Sequence, residues 1–355
     1  MKQEKYDYWL CQIKYMRRHT MQKLYRMFGN AQQIYQASEE QWRCCTDMTE
    51  RELQMMEEAK EDDRWERQWE LLHERGIKVF TCFQEQFPNR LKNIYQPPKC
   101  LYVKGKLPCE KNISLGIVGA RDCTPYGRDM ARLFAYRLAE QGIQIISGMA
   151  KGIDGWSHQG ALEAGKDTYA VLGTGVEVCY PASHVSLYRS ICNHGGVISE
   201  LPVFTKAMPQ FFPLRNRIIS GFSDGILVVE AREKSGSLIT ADAALEQGKD
   251  VFVIPGRIGD ELSEGCNRLI RQGAIPVLSP QDILEYYQIE QEQTNFYETD
   301  TEKKLMACMH MDPVHIDNII AGAEISPAEV VKGLIELQKK GKIEEAGRNY
   351  YRKKF

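Results

Sequence analysis

The sequence predicts an α/β protein, a parallel-sheet domain flanked by a small helical region in front and a winged helix behind. Three observations carry this reading. Between residues 113 and 287, six apolar runs of strand length (LGIVG, IQIISG, TYAVLG, GVISE, GILVVEA and DVFVIPG) each precede a segment of helix length, the alternation of βαβ units whose strands are covered on both faces. Residues 1–75 are rich in Gln, Glu, Arg and Met, with apolar residues at helical spacing such as Leu24, Met27 and Phe28. Residues 300–355 carry signals for three short helices and a hairpin.

Taken in order, the helical region 1–75 leads into an extended strap, 76–112, containing FPNRLKNIYQPPKCLYVKG. Pro97 and Pro98 exclude helix there, and Cys100 to Val103 can pair as a strand. The sheet domain, 113–287, should bring the loops that follow its strands to one edge, where ligands bind in such folds. The polar stretch 288–299, QIEQEQTNFYET, reads as a linker. In the tail, a first helix lies around Leu305 to Met309. Asp312-Pro313 reads as an N-cap with proline at the first helical position, and Ser326 to Glu329 as a capping box opening another helix. KIEEA, GRN and YYRKK complete a hairpin.

Composition narrows the functional classes. The chain has 355 residues, enough for two or three domains. A net charge of −2 makes any anion site local. Eleven cysteines at irregular spacing, with no CxxC pair, fit neither a zinc ligand set nor a secreted disulfide framework, and point to a reduced cytosol. No signal run or membrane-length apolar stretch occurs, so a cytoplasmic location without a membrane partner is expected. No metal or cofactor is called for.

The loops after the strands carry the chemistry. GARDCTPYG keeps Gly119 for a tight bend, but Arg121 stands where a dinucleotide motif needs its second glycine, and no acidic residue follows at the ribose-binding distance. No GxxxxGK[ST] is present. What remains is a helix N-terminus with free N–H donors, Arg121 beside it and Thr124 as cap, suited to a phosphate oxygen; Arg121 could equally pair with a carboxylate. The next loop, SGMAKGID, repeats the arrangement with Gly148, Lys151 and Gly152. His158 just beyond reads as a structural histidine before a general base. A third loop, SGSLIT, offers Ser235, Gly236 and Ser237 as caps or phosphate contacts. Before the strand GILVVEA lies QFFPLRNRIIS, in which Pro213 can open a helix with Arg215, Asn216 and Arg217 in its first turn. Buried arginines are costly without anions. Phe211 and Phe212 precede them, at least one expected in the core, and an aromatic face beside guanidinium groups is a combination suited to single-stranded nucleic acid. Arg121 and Arg215 are both expected to face ligand, so that losing either spares the fold.

GARDCTPYG, SGMAKGID, AVLGTG with YP, ISE, FFPLRNRIISG, VVEAREKSGSLITADAALEQG and VIPGRIGDELSEGCNRLI, in this order, closely resemble the bacterial DNA-processing protein A (DprA) family, also called Smf. The likeness covers about 170 residues of the sheet domain. It implies an extended Rossmann-like domain that binds single-stranded DNA, a homodimer, protection of incoming strands during natural transformation, and loading of a RecA-type recombinase, without enzymatic turnover. The DNA-binding residues it implies are Gly119, Arg121, Thr124, Gly148, Lys151, Gly152, Phe212, Arg215, Asn216 and Arg217. Ala120 stands where many relatives have serine, Phe87 replaces a common tyrosine, and the N-terminal helices lack a clear helix-hairpin-helix glycine motif.

The competing class is an enzyme of the nucleoside monophosphate phosphoribohydrolase type, whose related fold bears a PGGxGTxxE loop. EAREKSGSLITADAALEQG lacks its double glycine and glutamate spacing. In residues 301–355 ten Lys or Arg stand against eight Asp or Glu, a balance that fits a protein contact as well as weak duplex binding.

Overall fold

The computed structural model of the chain describes residues 2–44, 48–289, 299–309, 312–339 and 342–353. It divides into two compact units, Met1–Gln288 and Ile289–Phe355.

In the first unit, helices α1–α6 (Lys2–Gln12, Arg18–Phe28, Ala31–Gln36, Glu39–Arg43, Glu50–Glu61 and Arg64–Glu74) precede the sheet. Ser38 and Thr49 open α4 and α5 with reciprocal capping boxes, satisfying N–H groups that a helix start leaves unpaired. These helices do not form a core of their own. Trp9, Leu10, Trp42 and Met56 share one buried cluster with Tyr102, Leu172 and Val197 of the sheet side, and Gln12 Nε2 donates to the Tyr102 hydroxyl at 2.9 Å. Buried Glu52 accepts from the Arg17 side chain, the Thr20 hydroxyl and the backbone N–H of Thr49.

The sheet has nine strands: β1 (Ile77–Thr81), β2 (Cys100–Gly105), β3 (Ser114–Val118), β4 (Gln144–Ser147), β5 (Thr168–Val171), β6 (Gly195–Ser199), β7 (Gly225–Val228), β8 (Asp250–Val253) and β9 (Ile275–Pro276). Their order is β1-β2-β6-β5-β4-β3-β7-β8-β9. The pairs from β6 to β9 are parallel, while β1 and β2 from the strap add an antiparallel edge. The strap thus belongs to the sheet. Helices α7 (Pro125–Glu140), α8 (Ile153–Glu163), α9 (Val185–Asn193), α10 (Phe211–Phe222), α11 (Gly236–Glu246) and α12 (Glu264–Arg271) alternate with the strands, and α13 (Pro280–Tyr286) follows the last.

Two features of this topology position the site. From β3 the chain steps outward through β4, β5 and β6, then returns to lay β7 against the other side of β3. The loops after β3 and β7 therefore part from each other, which opens a crevice at a topological switch point. The return is made by α10, whose Ile218, Ile219 and Phe222 are buried against Leu91 and Ile94 of the strap. Arg90 Nη1 donates to the Phe222 carbonyl at 2.9 Å and to Asp224 at 2.8 Å, placing a cation at the negative end of that helix.

The second unit holds α14 (Asp300–Ala307), β10 (Val314–His315), α15 (Ile316–Ala323), α16 (Pro327–Lys339), β11 (Ile343–Gly347) and β12 (Tyr350–Lys353), the helices and antiparallel wing of a winged helix. Ser326 and Glu329 form the expected capping box. Asp312-Pro313 does not start a helix. Val314 and His315 instead pair with Tyr351 and Tyr350 of the wing, and α15 begins at Ile316 with the His315 ring accepting from Asp317 N–H; the cross-strand pairing overrides the local signal. Residues 290–298 of the expected linker lie outside the described residues. Among the described residues no helix is long and apolar enough to cross a membrane, and no cluster of three or more His, Cys, Asp or Glu is placed to hold a metal ion.

Candidate nucleic-acid interface

The crevice beside β3 and β7 is a cleft of about 430 Å³, lined among others by Arg121, Asp122, Asp154, Phe212, Arg215, Asn216, Arg232, Lys234, Ser235, Gly236 and Ser237. A smaller recess of about 130 Å³ adjoins it, sharing Arg121 and Phe212 and adding Gly148, Lys151, Gly173 and Tyr180. Three loops distant in sequence thus meet at one edge, as parallel strands require.

Phe212 is the wall between the two spaces. It is half-buried, with the Arg121 guanidinium carbon 5.4 Å from its ring centroid and the Tyr180 ring 5.4 Å away at 43°. A Cβ on Gly173 would lie 2.7 Å from Phe212 Cδ1, so the ring lies close over that loop. Phe211 turns to the opposite side of α10, where it lines a separate recess with Gln96, Glu200, Leu214 and Arg217. Neither phenylalanine is fully buried, because α10 begins at Phe211 and carries the pair on its exposed first turn, one on each flank.

Arg215 departs from the expected exposure. It is 5% exposed, and its guanidinium donates to the carbonyls of Gly148, at 2.9 Å, and Val171 and, through Nε, to Asn216 at 3.1 Å. The early start of α10 puts Arg215 in the second turn, directed at the sheet edge. Burial pulls its pKa down to about 10, while the Asp154 carboxylate opposes that shift. A Cβ on Gly148 would lie 2.4 Å from the guanidinium nitrogens, so glycine leaves room for the clamp. Asn216 extends it by donating to the Gly236 carbonyl at 3.2 Å. Arg217 faces away from the main cleft and is paired with Glu200.

The two helix N-termini proposed as anion sites already hold carboxylates of the chain itself. Thr124 caps α7, accepting from Gly127 N–H at 3.0 Å, but its own N–H donates to Glu230 at 2.9 Å and its hydroxyl to the same carboxylate. At α8, buried Asp154 accepts from Gly148 N–H at 3.2 Å. A carboxylate at such a position satisfies N–H groups and dipole together, which leaves Thr124 committed. The N-terminus of α11 differs. Ser235 caps it by accepting from Ser237 N–H at 3.3 Å, Gly236 faces open space, and no carboxylate is bonded there among the described residues.

Gly119 directly follows β3, and a Cβ there would lie 2.6 Å from Ile153 Cγ1. Gly152 has φ +76°, and a Cβ there would lie 2.2 Å from the Ala120 carbonyl oxygen. Gly152→Ala therefore combines backbone strain with a clash against backbone. It is expected to lower stability by roughly 2–4 kcal/mol in urea unfolding and to displace the loop carrying Arg121.

Among the described residues lining the two recesses, Arg121, Lys151, Arg232 and Lys234 are exposed cations that can meet a ligand; Arg232 makes a surface pair with Glu261 at 3.3 Å. Sequence reasoning did not single out Arg232, Lys234 or Tyr180. The two cations flank the SGSLIT loop and could have been found there; Tyr180 stands in the YP pair that forms part of the family resemblance, which gave it no contact role.

His158 is structural. It is buried, its Nδ1 donating to the Thr168 hydroxyl at 2.7 Å while that hydroxyl donates to the Ile145 carbonyl. Burial, with His184 and Arg215 nearby, lowers its pKa to about 3. In the unfolded chain the value is near 6.5, so below that pH the unfolded state takes a proton that the folded state refuses. Stability from this group is complete above about pH 6.5 and is lost progressively as pH falls toward about 3. His158→Gln, which cannot titrate, is expected to remove about 2 kcal/mol of the stability loss between about pH 7 and pH 5, read from denaturant midpoints.

Known proteins are similar to this chain over most of its length. Residues 78–288 match the profile of the DNA recombination-mediator protein A family, and residues 290–347 that of the DprA winged helix domain. Protein Smf of Escherichia coli (strain K12) is 39% identical over 294 residues, 79% of each chain. The DNA processing protein DprA of Bacillus subtilis (strain 168) is 42% identical over 213 residues, 60% of this chain and 72% of that one. The X-ray structure of DNA processing protein A from Streptococcus pneumoniae superposes with a TM-score of 0.68 at 32% identity, covering 81% of this chain and 99% of that one. DNA processing protein A from Helicobacter pylori, solved for its single-stranded DNA binding mode, gives 0.54 at 27% identity, covering 60% and 95%. With the match running through the Rossmann-like sheet, the loops of the crevice and the winged helix, the chain belongs to the DNA recombination-mediator protein A family.

Proposed function

We propose that this chain binds single-stranded DNA in the cleft at the switch point and acts, without catalytic turnover, as a recombination mediator. In this reading it works as a cytoplasmic homodimer that protects incoming strands during natural transformation and passes them to a RecA-type recombinase. The observation that carries the binding step is the Phe212 ring, half-buried between two recesses that four exposed cations, Arg121, Lys151, Arg232 and Lys234, help to line. Bases stack on such a face while the cations follow the phosphates. Gly236, Ser235 and Ser237 at the open end of α11 supply backbone and hydroxyl donors to a phosphate. Arg215, Asn216, Gly148, Gly152, Gly119 and Thr124 contribute by holding the three loops in register, and Arg217 by anchoring α10 through Glu200. The H. pylori relative, whose structure addresses single-stranded DNA binding, supports the ligand class.

The test is fluorescence anisotropy with oligonucleotides of mixed sequence. Single strands should bind more tightly than duplex, and log affinity should fall with log salt at a slope near about −3, four phosphates at roughly −0.7 each. Equal or stronger duplex binding would move the function to the winged helix. Release of free base from a nucleoside monophosphate would favour the hydrolase reading.

A further inference from the structure

We infer that the recess on the far flank of α10 is a second base-binding subsite, in which a further base of the same single strand stacks on Phe211. The inference rests on the reading that the strand lies across Phe212, and it names where that strand goes next. The recess has a volume of about 290 Å³; Phe211, Leu214 and Leu201 supply apolar lining, and Gln96, Glu200 and Arg217 supply polar lining. It is continuous with the main interface. Arg215 lines both this recess and the main cleft, and Leu172 lines both it and the smaller recess beside Phe212. The first turn of α10 stands between them, with Phe211 on one flank and Phe212 on the other.

This lining matches a nucleobase, which has flat apolar faces and an edge of hydrogen-bond donors and acceptors. Phe211 is half-buried, leaving part of its ring accessible for stacking, and Leu214 is exposed beside it. Arg217 is held by Glu200, to which its Nη2 donates. Its Nε and Nη1 are shielded from water and have no acceptor among the described residues. Donors left in that state are costly, and a small turn of the guanidinium offers one of them to a base carbonyl. Gln96 is exposed, and its amide adds a donor and an acceptor at the same recess. An apolar side chain of a protein partner would cover Phe211 and leave the Arg217 donors unsatisfied; the edge of a base does both tasks.

The path between the two phenylalanines suits a sugar–phosphate backbone. No side chain caps the start of α10, and its first turn holds no acidic residue, so a phosphate crossing that turn meets the positive end of the helix. A helix is about 10–12 Å across, several times the roughly 3.4 Å between neighbouring nucleotides of a duplex strand. The bases on Phe211 and Phe212 are therefore not neighbours, and at least one nucleotide lies between them.

The experiment measures, by competition against a labelled strand, the dissociation constants of the full-length protein for a thymidine dinucleotide and a thymidine octanucleotide. The dinucleotide can fill the Phe212 cleft alone, whereas the octanucleotide reaches both recesses. Phe211→Ala should weaken the octanucleotide by about tenfold, the usual worth of one stacked base, and leave the dinucleotide within about twofold. Phe211→Leu, which keeps apolar bulk on α10 without a ring, should show most of that loss, and Phe211→Tyr, which keeps the ring, should show none of it. Gln96→Asn shortens the amide arm at a position of φ +48° that asparagine accepts, and should also weaken the octanucleotide alone. Should Phe211→Ala fail to fold, Phe211→Leu and Gln96→Asn decide. Phe212→Ala should weaken both lengths. If it does, and the Phe211→Ala and Phe211→Leu proteins bind the octanucleotide as tightly as the unsubstituted chain, this inference is overturned and the main cleft stands. If Phe212→Ala changes neither length, the main-cleft reading fails and this inference falls with it.

Discussion

Arg215→Ala is expected to lower the stability of the first unit by about 3–5 kcal/mol, the cost of breaking a buried charge arrangement from one side. Arg215 is buried, and its loss leaves the Gly148 and Val171 carbonyls without their guanidinium donor and Asp154 without its nearest buried countercharge. At roughly 2–4 °C per kcal/mol for a domain of this size, the melting temperature should fall by about 10 °C. Arg215→Lys keeps the charge but not the two-carbonyl span, and should recover only part of the loss. A melting temperature unchanged in Arg215→Ala would mean that the guanidinium does not clamp the loops after β4 and β5.

Arg121→Ala should do the reverse, lowering the melting temperature by no more than about 1–4 °C while weakening single-strand binding by roughly 1–3 kcal/mol, the usual worth of a charge-assisted contact. Arg121 is exposed and sits over the Phe212 ring, so its removal costs the fold a surface cation–π contact of only about 0.5–1 kcal/mol. The salt dependence should become shallower by about 0.7, one phosphate fewer. An unchanged affinity at low salt would remove Arg121 from the interface. The contrast between the two arginines is the sharpest consequence of the structure, since sequence alone gave them the same role.

What could be read in advance followed from local physics. Six strands showed as apolar runs, and Thr124, Ser235 and Ser326 showed as caps because a side-chain oxygen next to a helix start has one favourable partner. The opening stretch QFFPLRNRIIS was legible as a helix at a ligand edge, but two residues of register decided which side chain faced solvent. Long-range partners were not legible. Glu230 reaches Thr124 across 106 positions, and only the strand order, with β3 against β7, brings that carboxylate to the end of α7. The same holds for β1 and β2, whose antiparallel pairing places Cys82 beside Lys99. Asp312-Pro313 carried a sound helix signal that the neighbouring hairpin overrode.

The central claim is that a single strand lies across Phe212, between the loops after β3, β4 and β7. Photo-cross-linking with a halogenated uracil at each position of a short single strand tests it most directly, because the reactive base must lie against the side chain it joins. Cross-links should concentrate in peptides holding residues 119–124, 180 and 209–216, with Phe212 and Tyr180 as the modified rings, and should fade as salt rises. Cross-links confined to residues 300–353, or spread evenly over the surface, would contradict the account.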